Sequence, residues 1–240
     1  MTRPDAAACF AALEATWPAA ELTQRGPFLL RRGAGGGQRV SAATATGAAT
    51  EDDIAAAERA MAAWGQAPLF MLRPEEEALD AVLERRGYRI KDPVTLYAAP
   101  SAAMTEPRPH RLRHIRVWPP VAVQEEIWQA GGIGPGRLDV MRRAAGARTT
   151  LLGRIGQRPA ATAYVGVHDG IAMLHALEVA PAGRRQGLGR DMMRGAARWA
   201  LENGAETFTV VVTDANGPAN ALYLGLGMTP VTRYHYRVRP

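Results

Sequence analysis

Cysteine is nearly absent. Cys9 is the only one in 240 residues, so no intramolecular disulfide can form and a reducing, cytoplasmic setting is expected. Cys9 lies in an alanine-rich amphipathic stretch that suits core packing better than a nucleophile. Lysine is equally scarce, Lys91 being the only one, and the excess of 29 Lys+Arg over 23 Asp+Glu, a net +6, is carried by arginine. The arginines are scattered and no basic run is interleaved with aromatics, so nucleic acid is not an expected partner. A positive field still favours a small anionic ligand. No apolar run approaches the ~20 residues of a membrane span, and Asp5 and Glu14 interrupt residues 1 to 20, so neither a spanning helix nor a secretory leader is expected. Hydrophobic residues at 47% and charged residues at 22% suit a folded soluble chain.

What is present concentrates in Val179-Ala180-Pro181-Ala182-Gly183-Arg184-Arg185-Gln186-Gly187-Leu188-Gly189-Arg190. A strand is expected before it, over Met173 to Val179. After it Met192, Met193, Ala196, Ala197, Ala200 and Leu201 recur at helical spacing. A glycine-rich turn on a helix N-terminus offers unpaired N–H groups and the positive end of the helix dipole, and both favour phosphate. Gly187 and Gly189 lack a Cβ, so a pyrophosphate can approach the backbone, and Arg184, Arg185 and Arg190 add positive charge. A diphosphate-bearing cofactor is the expected ligand. The spacing is neither that of a P-loop nor that of a Rossmann dinucleotide site. A plain strand-to-helix turn, with glycine for packing, stays open on these residues alone.

Three further features narrow the choice. Leu174 to Val179 is an apolar strand closing on Val179-Ala180-Pro181. Thr207 to Val212 is a second strand rich in β-branched residues. Asn216-Gly217-Pro218-Ala219-Asn220-Ala221-Leu222-Tyr223-Leu224-Gly225-Leu226-Gly227-Met228 then has an N-cap in Asn216 and an early helical proline in Pro218. Together these resemble the GNAT superfamily of N-acetyltransferases. Its Arg/Gln-x-x-Gly-x-Gly/Ala signature is matched by Arg184, Gly187 and Gly189. Its Asn-x-x-Ala-x-x-Leu-Tyr-x-x-x-Gly-Phe is matched from Asn216 onward, with Met228 replacing the Phe. The resemblance spans roughly residues 110 to 240. Within it Val121 to Ala130 reads as the first helix. Arg148 to Gly153 and Ala160 to Val167 read as strands, with a hairpin turn at His168-Asp169-Gly170.

The first hundred residues read as a separate unit, followed by a proline-rich linker over 101–110 and the acetyltransferase domain over 111–240. Expected elements are a helix from Pro4 to Thr16, strands Phe28 to Arg32 and Arg39 to Thr44 joined by the glycine-rich loop 33–37, a helix Glu51 to Trp64, a strand Leu69 to Leu72, a helix Glu75 to Arg86 and a strand Pro93 to Ala98. The loop 33–37 is followed by neither a helix nor Lys-Ser/Thr, which argues against a phosphate loop. Ala81 to Tyr88 repeats the arrangement of Ala221 to Met228: a helix, then Gly-Tyr or Gly-Met, then a strand. The N-terminal half therefore reads as a degenerate GNAT-like copy without the pyrophosphate turn, or else as an unrelated α/β domain.

The resemblance implies an α/β protein with a mixed sheet, the GNAT acyl-CoA N-acyltransferase fold, and acetyl-CoA as co-substrate with no metal. It implies cofactor contacts from Leu177, Val179, Arg184, Arg185, Gln186, Gly187, Leu188, Gly189, Arg190, Asn216 and Tyr223. Val179 would meet the pantetheine arm strand to strand where two parallel strands splay. Tyr223 is the implied acid for the departing thiolate. His175 is the implied base, with Glu178 or water as alternatives, and strand alternation puts His175 and Leu177 on one face and Glu178 on the other unless a bulge intervenes. The implied reaction moves an acetyl group to a primary amine of a small molecule or peptide by direct transfer in a ternary complex. A non-catalytic acyl-CoA-sensing module of the same fold is the alternative. Nothing names the amine or fixes the oligomeric state, and a homodimer stays open.

Overall fold

Local chemistry sets the element boundaries in the computed structural model, which describes residues 4–109 and 113–239. Asp5 accepts from the Ala7 N–H at 3.3 Å and starts α1 (Ala6–Thr16). β1 (Glu21–Arg25), β2 (Phe28–Arg32) and β3 (Thr44–Ala45) follow. At α2 (Glu51–Ala63) the Thr50 hydroxyl accepts from the Asp53 N–H, and the Asp53 carboxylate accepts from the Thr50 N–H, a reciprocal cap. β4 (Leu69–Leu72), α3 (Glu77–Arg85) and β5 (Arg89–Pro100) come next. The rest runs β6 (His114–Val117), α4 (Ala122–Ala130), α5 (Pro135–Arg143), β7 (Arg148–Ile155), β8 (Arg158–His168), β9 (Ile171–Val179), α6 (Leu188–Glu202), β10 (Thr207–Thr213), α7 (Gly217–Leu224) and β11 (Thr229–Val238). This is the expected α/β architecture with a mixed sheet. Among the described residues no helix is long and apolar enough to cross a membrane.

The chain divides into two compact units, and β5 and β11 contribute residues to both. The first unit takes, of the described residues, those up to Pro18 together with Leu96–Val212 and Asn216–Val231. Its strand order is β11-β5-β10-β9-β8-β7-β6. β6, β7, β8 and β9 pair antiparallel, while β9 and β10 pair in parallel. The hairpin between β8 and β9 turns at Asp169 and Gly170, both at positive φ, as a two-residue turn of this hand requires. One sheet face, with Ala163, Val165 and Leu174, packs on the apolar stripe of α6, where Met192, Met193, Ala196, Ala197 and Ala200 are buried. Each large side chain withdrawn there contributes roughly 1.5–3 kcal/mol. The other face carries Tyr164 and His175 and packs against α1.

The second unit takes Ala19–Thr95, Thr213–Ala215 and the described residues from Thr232 on. It holds the sheet β1-β2-β3 and the order β4-β11-β5. Its core gathers Phe28, Leu30, Ile54, Met61, Phe70, Leu72, Leu83 and Tyr88. Phe70 meets Phe28 and Tyr88 edge to face at 5.3 and 5.5 Å. On α3 Asp80 receives two N–H bonds from Arg237, at 2.6 and 3.1 Å, and lies 2.9 Å from His235. Arg237 is only 3% exposed.

Some expectations change. The strand expected over Arg39 to Thr44 is instead a 3-10 turn, Gln38–Val40, and the short β3. β1 was not expected because its side chains are almost all exposed and carry no alternation. Residues Ser101–Met104, expected in a linker, form a 3-10 turn with Ser101 and Met104 buried, since the Met104 side chain reaches the core under α6. The two units also cross the expected boundaries at 100 and 111, because α1 belongs with the first unit and the end of β11 with the second. The repeated helix–glycine–strand arrangement has matching local geometry. Gly87 and Gly227 sit at φ +85° and +80°, and Tyr88 and Met228 donate back to Leu83 and Tyr223 at 3.0 and 3.1 Å.

Candidate active site

β9 is where the sheet opens. Its parallel register with β10 runs from Thr207↔Ile171 to Val210↔Leu174. Beyond that point β9 is bulged on its other side. Tyr164 pairs with His175 and Thr162 with Glu178, so Ala176 and Leu177 together face the single Ala163. Ala176 takes φ +51°, and its carbonyl accepts from the Trp128 indole N–H at 2.7 Å. The bulge settles the facing of the strand: His175 and Glu178 share one face, and Val179, paired with Ala161, lies on the other. This corrects the alternation that put Glu178 opposite His175.

The edge of Val179 faces away from β8. Ala180 N–H donates to Ala160 O at 2.8 Å, so its neighbour points the other way, and Val179 O accepts from Arg184 Nε at 3.0 Å. Leu177 and Val179 are half-buried and pack on the α6 core. The chain then makes a 3-10 turn, Pro181–Gly183, and reaches α6 through Arg185 at φ +62° and Gly187 at φ +76°. Gly187 is the helix N-cap in a left-handed conformation, and a Cβ there would meet nothing within 4 Å. The space over the turn is open. Leu188 is buried at 1% and anchors the helix, whereas Arg184, Arg185, Gln186 and Arg190 are exposed. Gln186 donates to Ala182 O at 2.9 Å. A Cβ on Gly189 would touch Leu222 of α7 at 3.4 Å and Val179 at 3.9 Å, so this glycine marks where β9, α6 and α7 converge.

Asn216 caps α7 by accepting from Ala219 N–H at 3.2 Å. Tyr223 on that helix is 6% exposed, and burial pushes its hydroxyl up to about 12. Its ring centroid lies 6.0 Å from that of Tyr97. Tyr97 in turn donates to Asn220 at 2.9 Å. His175 is 4% exposed and stacks on Trp17 at 4.9 Å. Its Nε2 lies 2.8 Å from Thr16 Oγ1, which donates to Ala12 O at 2.6 Å, so Nε2 carries the proton in this pairing. The Glu178 carboxyl packs over Gly131, where any Cβ would fall 2.6 Å from it, and pairs with Arg184 at 3.4 Å.

Several contributors carry no motif. Arg113 donates to Gln186 O at 2.7 Å and to Asp191 at 2.8 Å, tying the turn to α6. Trp128, Thr16, Trp17 and Tyr97 come from elements remote in sequence, and a helical or strand period alone does not single them out. Among the described residues no group of three or more His, Cys, Asp or Glu is gathered for a metal.

Residues 111–228 match the Acetyltransferase (GNAT) family. Over 75 residues the chain is 36% identical to the uncharacterized N-acetyltransferase YobR of Bacillus subtilis (strain 168), a match spanning 31% of this chain and 30% of that protein. The fold is similar to a GCN5-related N-acetyltransferase from Kribbella flavida, with TM-score 0.76 and 21% identity, over 99% of this chain and 97% of the other. It is also similar to a tandem GNAT protein from the clavulanic acid biosynthesis pathway, with TM-score 0.61 and 13% identity, over 88% and 76% of the two chains. Residues 111–228, which carry the open β9 edge and the glycine turn on α6, are thus an acetyltransferase domain of the GNAT family.

Proposed function

We propose that the protein is an acetyl-CoA-dependent N-acetyltransferase that moves an acetyl group to a primary amine of a small molecule or peptide within a ternary complex. The observation that carries this reading is the end of β9–β10 pairing at Val210↔Leu174, which leaves the Val179 edge beside the open Gly187 turn. The donor set fits the group. The first-turn N–H groups of Leu188, Gly189 and Arg190 face a pyrophosphate, and Arg184, Arg185 and Arg190 offset its charge. Val179 N–H and C=O hydrogen-bond the pantetheine amides, with Leu177 packed below. Arg184 then leaves the Val179 carbonyl, which is easy because its side chain is 59% exposed and its pairing with Glu178 is worth little in solvent.

Acetyl-CoA supplies an acyl group on a good leaving thiolate. Glu178 takes the proton of the acceptor amine, either directly or through water, as the amine nitrogen bonds the acyl carbon and the carbon–sulfur bond breaks. Tyr223 gives its proton to the departing sulfur. A phenol held at about 12 keeps that proton at every working pH. Glu178 then releases its proton to solvent and Tyr223 regains one, which closes the cycle. We assign His175 to structure, since Thr16 and Trp17 cover it. Residues 19–95 are a degenerate copy without a cofactor site, and the buried Cys9 thiol, pushed up to about 11 by burial, fits an inert residue in a reducing cytoplasm.

The test is acetyl-CoA consumption over amino acids, polyamines, aminoglycosides, arylalkylamines and peptide N-termini, beside calorimetry with coenzyme A. Turnover with one amine class supports the enzyme. Tight binding with no turnover of any amine supports the sensing module instead, and no binding removes both readings.

A further inference from the structure

The β9 bulge has no glycine to explain it. Ala176 holds φ +51°, a conformation that is costlier for alanine than for glycine. Something outside the strand must hold it there. Its carbonyl accepts from Trp128 Nε1 at 2.7 Å, and Trp128 is fully buried on α4. α4 is itself fixed to the sheet by Gln124, also fully buried, whose amide lies 3.2 Å from Thr162 Oγ1 on β8 and 3.1 Å from Thr150 Oγ1 on β7. The indole N–H is therefore presented from a rigid mount.

Resting on the reading of Val179 and Glu178 given above, we propose that Trp128 is a positioning residue whose indole N–H holds the Ala176 bulge, and that the bulge sets both halves of the site. The reason is strand periodicity. Two residues face one at the bulge, so removing it shifts every later residue of β9 by one position. A one-residue slip turns each side chain to the opposite face. Glu178 would then point toward α6, and the free edge of Val179 would turn into the β8 ladder. One hydrogen bond thus decides whether the strand presents an acid on one face and an open edge for a ligand.

Three variants test this. Trp128→Phe keeps an aromatic ring, though a smaller one, and removes the donor; it should weaken coenzyme A binding about five- to tenfold, the size of one lost hydrogen bond. Amide hydrogen exchange over residues 175–180, measured without ligand, should rise in the same variant. Trp128→Phe/Ala176→Gly should recover most of both, because glycine holds positive φ without a tether. Its thermal stability should stay lowered, since glycine does not refill the volume of the lost indole. Ala176→Val leaves Trp128 intact and strains only the left-handed position, so it should weaken binding as well. Wild-type affinity and exchange in Trp128→Phe, no recovery in the double variant, or wild-type affinity in Ala176→Val would each overturn the proposal. If the wild type itself fails to bind coenzyme A, the functional reading fails, and exchange alone decides on the tether.

Discussion

Among single residues, Tyr223, Glu178 and His175 separate by environment. Tyr223→Phe keeps the ring in its packed position and removes the proton donor. We expect kcat to fall by roughly 10²-fold with coenzyme A affinity unchanged, near the low end for general acids because a thiolate is a tolerable leaving group. Wild-type kcat would return Tyr223 to core packing. Burial also gives this phenol a linkage signature. Its hydroxyl is at about 12 in the folded chain and near 10 when unfolded. Folding therefore favours the neutral form, and that stabilisation is complete below about pH 10 and is lost as pH rises toward 12. The fall in unfolding free energy between pH 9 and pH 11 should be smaller in Tyr223→Phe. Glu178→Gln should lower kcat/KM by roughly 10²-fold. His175→Ala should leave kcat/KM within a few-fold of wild type and instead cost roughly 2–4 kcal/mol of stability, because it empties a packed site beneath Trp17. A roughly 10²-fold loss of kcat/KM in a folded His175→Ala would restore the imidazole as the base.

The informative elements are the turn into α6 and the bulge in β9. The turn was legible as a glycine turn on a helix N-terminus: Gly187 and Gly189 stand at that spacing ahead of the apolar period of α6, and Gly187 takes φ +76° as its N-cap. In Gly187→Val the new Cβ meets nothing within 4 Å, yet the residue must hold φ +76°. We expect coenzyme A affinity to fall more than tenfold while chemical unfolding shows a loss of only about 1–2 kcal/mol. Equal affinity in wild type and variant, by calorimetry, would remove the pyrophosphate assignment. The bulge was not legible. Alternation along Leu174 to Val179 put Glu178 opposite His175, and nothing local corrects it, since Ala176 is not a turn residue. What corrects it is a tryptophan 48 positions earlier.

For the whole molecule, the two units predict different responses. One coenzyme A equivalent per chain is expected, because the second unit has no turn like Arg184 to Gly189, and a titration giving two equivalents would contradict this. Arg237 in the second unit is nearly buried and Asp80 is its main partner, bonded through two N–H groups. That guanidinium holds the Asp80 carboxyl below its ordinary value. The stabilisation is therefore present above about pH 4 and is lost as pH falls below it. Asp80→Asn leaves the Arg237 charge with only the exposed Glu84, 3.8 Å away, and should cost roughly 2–4 kcal/mol at neutral pH. A variant as stable as wild type would show that solvent already screens the pair.

By itself the sequence determined what repeats locally: the apolar period of α6, the β-branched run of β10, the cap at Asn216, the Asp169-Gly170 hairpin, and the glycine turn with its charge. These are properties of neighbours along the chain, where propensity and hydrogen-bond completion act within a few residues. Tertiary structure alone decided what depends on pairing across the chain. It placed α1 over His175, brought Tyr97 against Tyr223, packed the proline-rich segment after β5 under α6, and kinked β9 at Ala176. Each of these turns on a contact between residues 48 to 159 positions apart. The free energy of such contacts comes from burial and from satisfying a remote polar group, and neither leaves a period in the sequence.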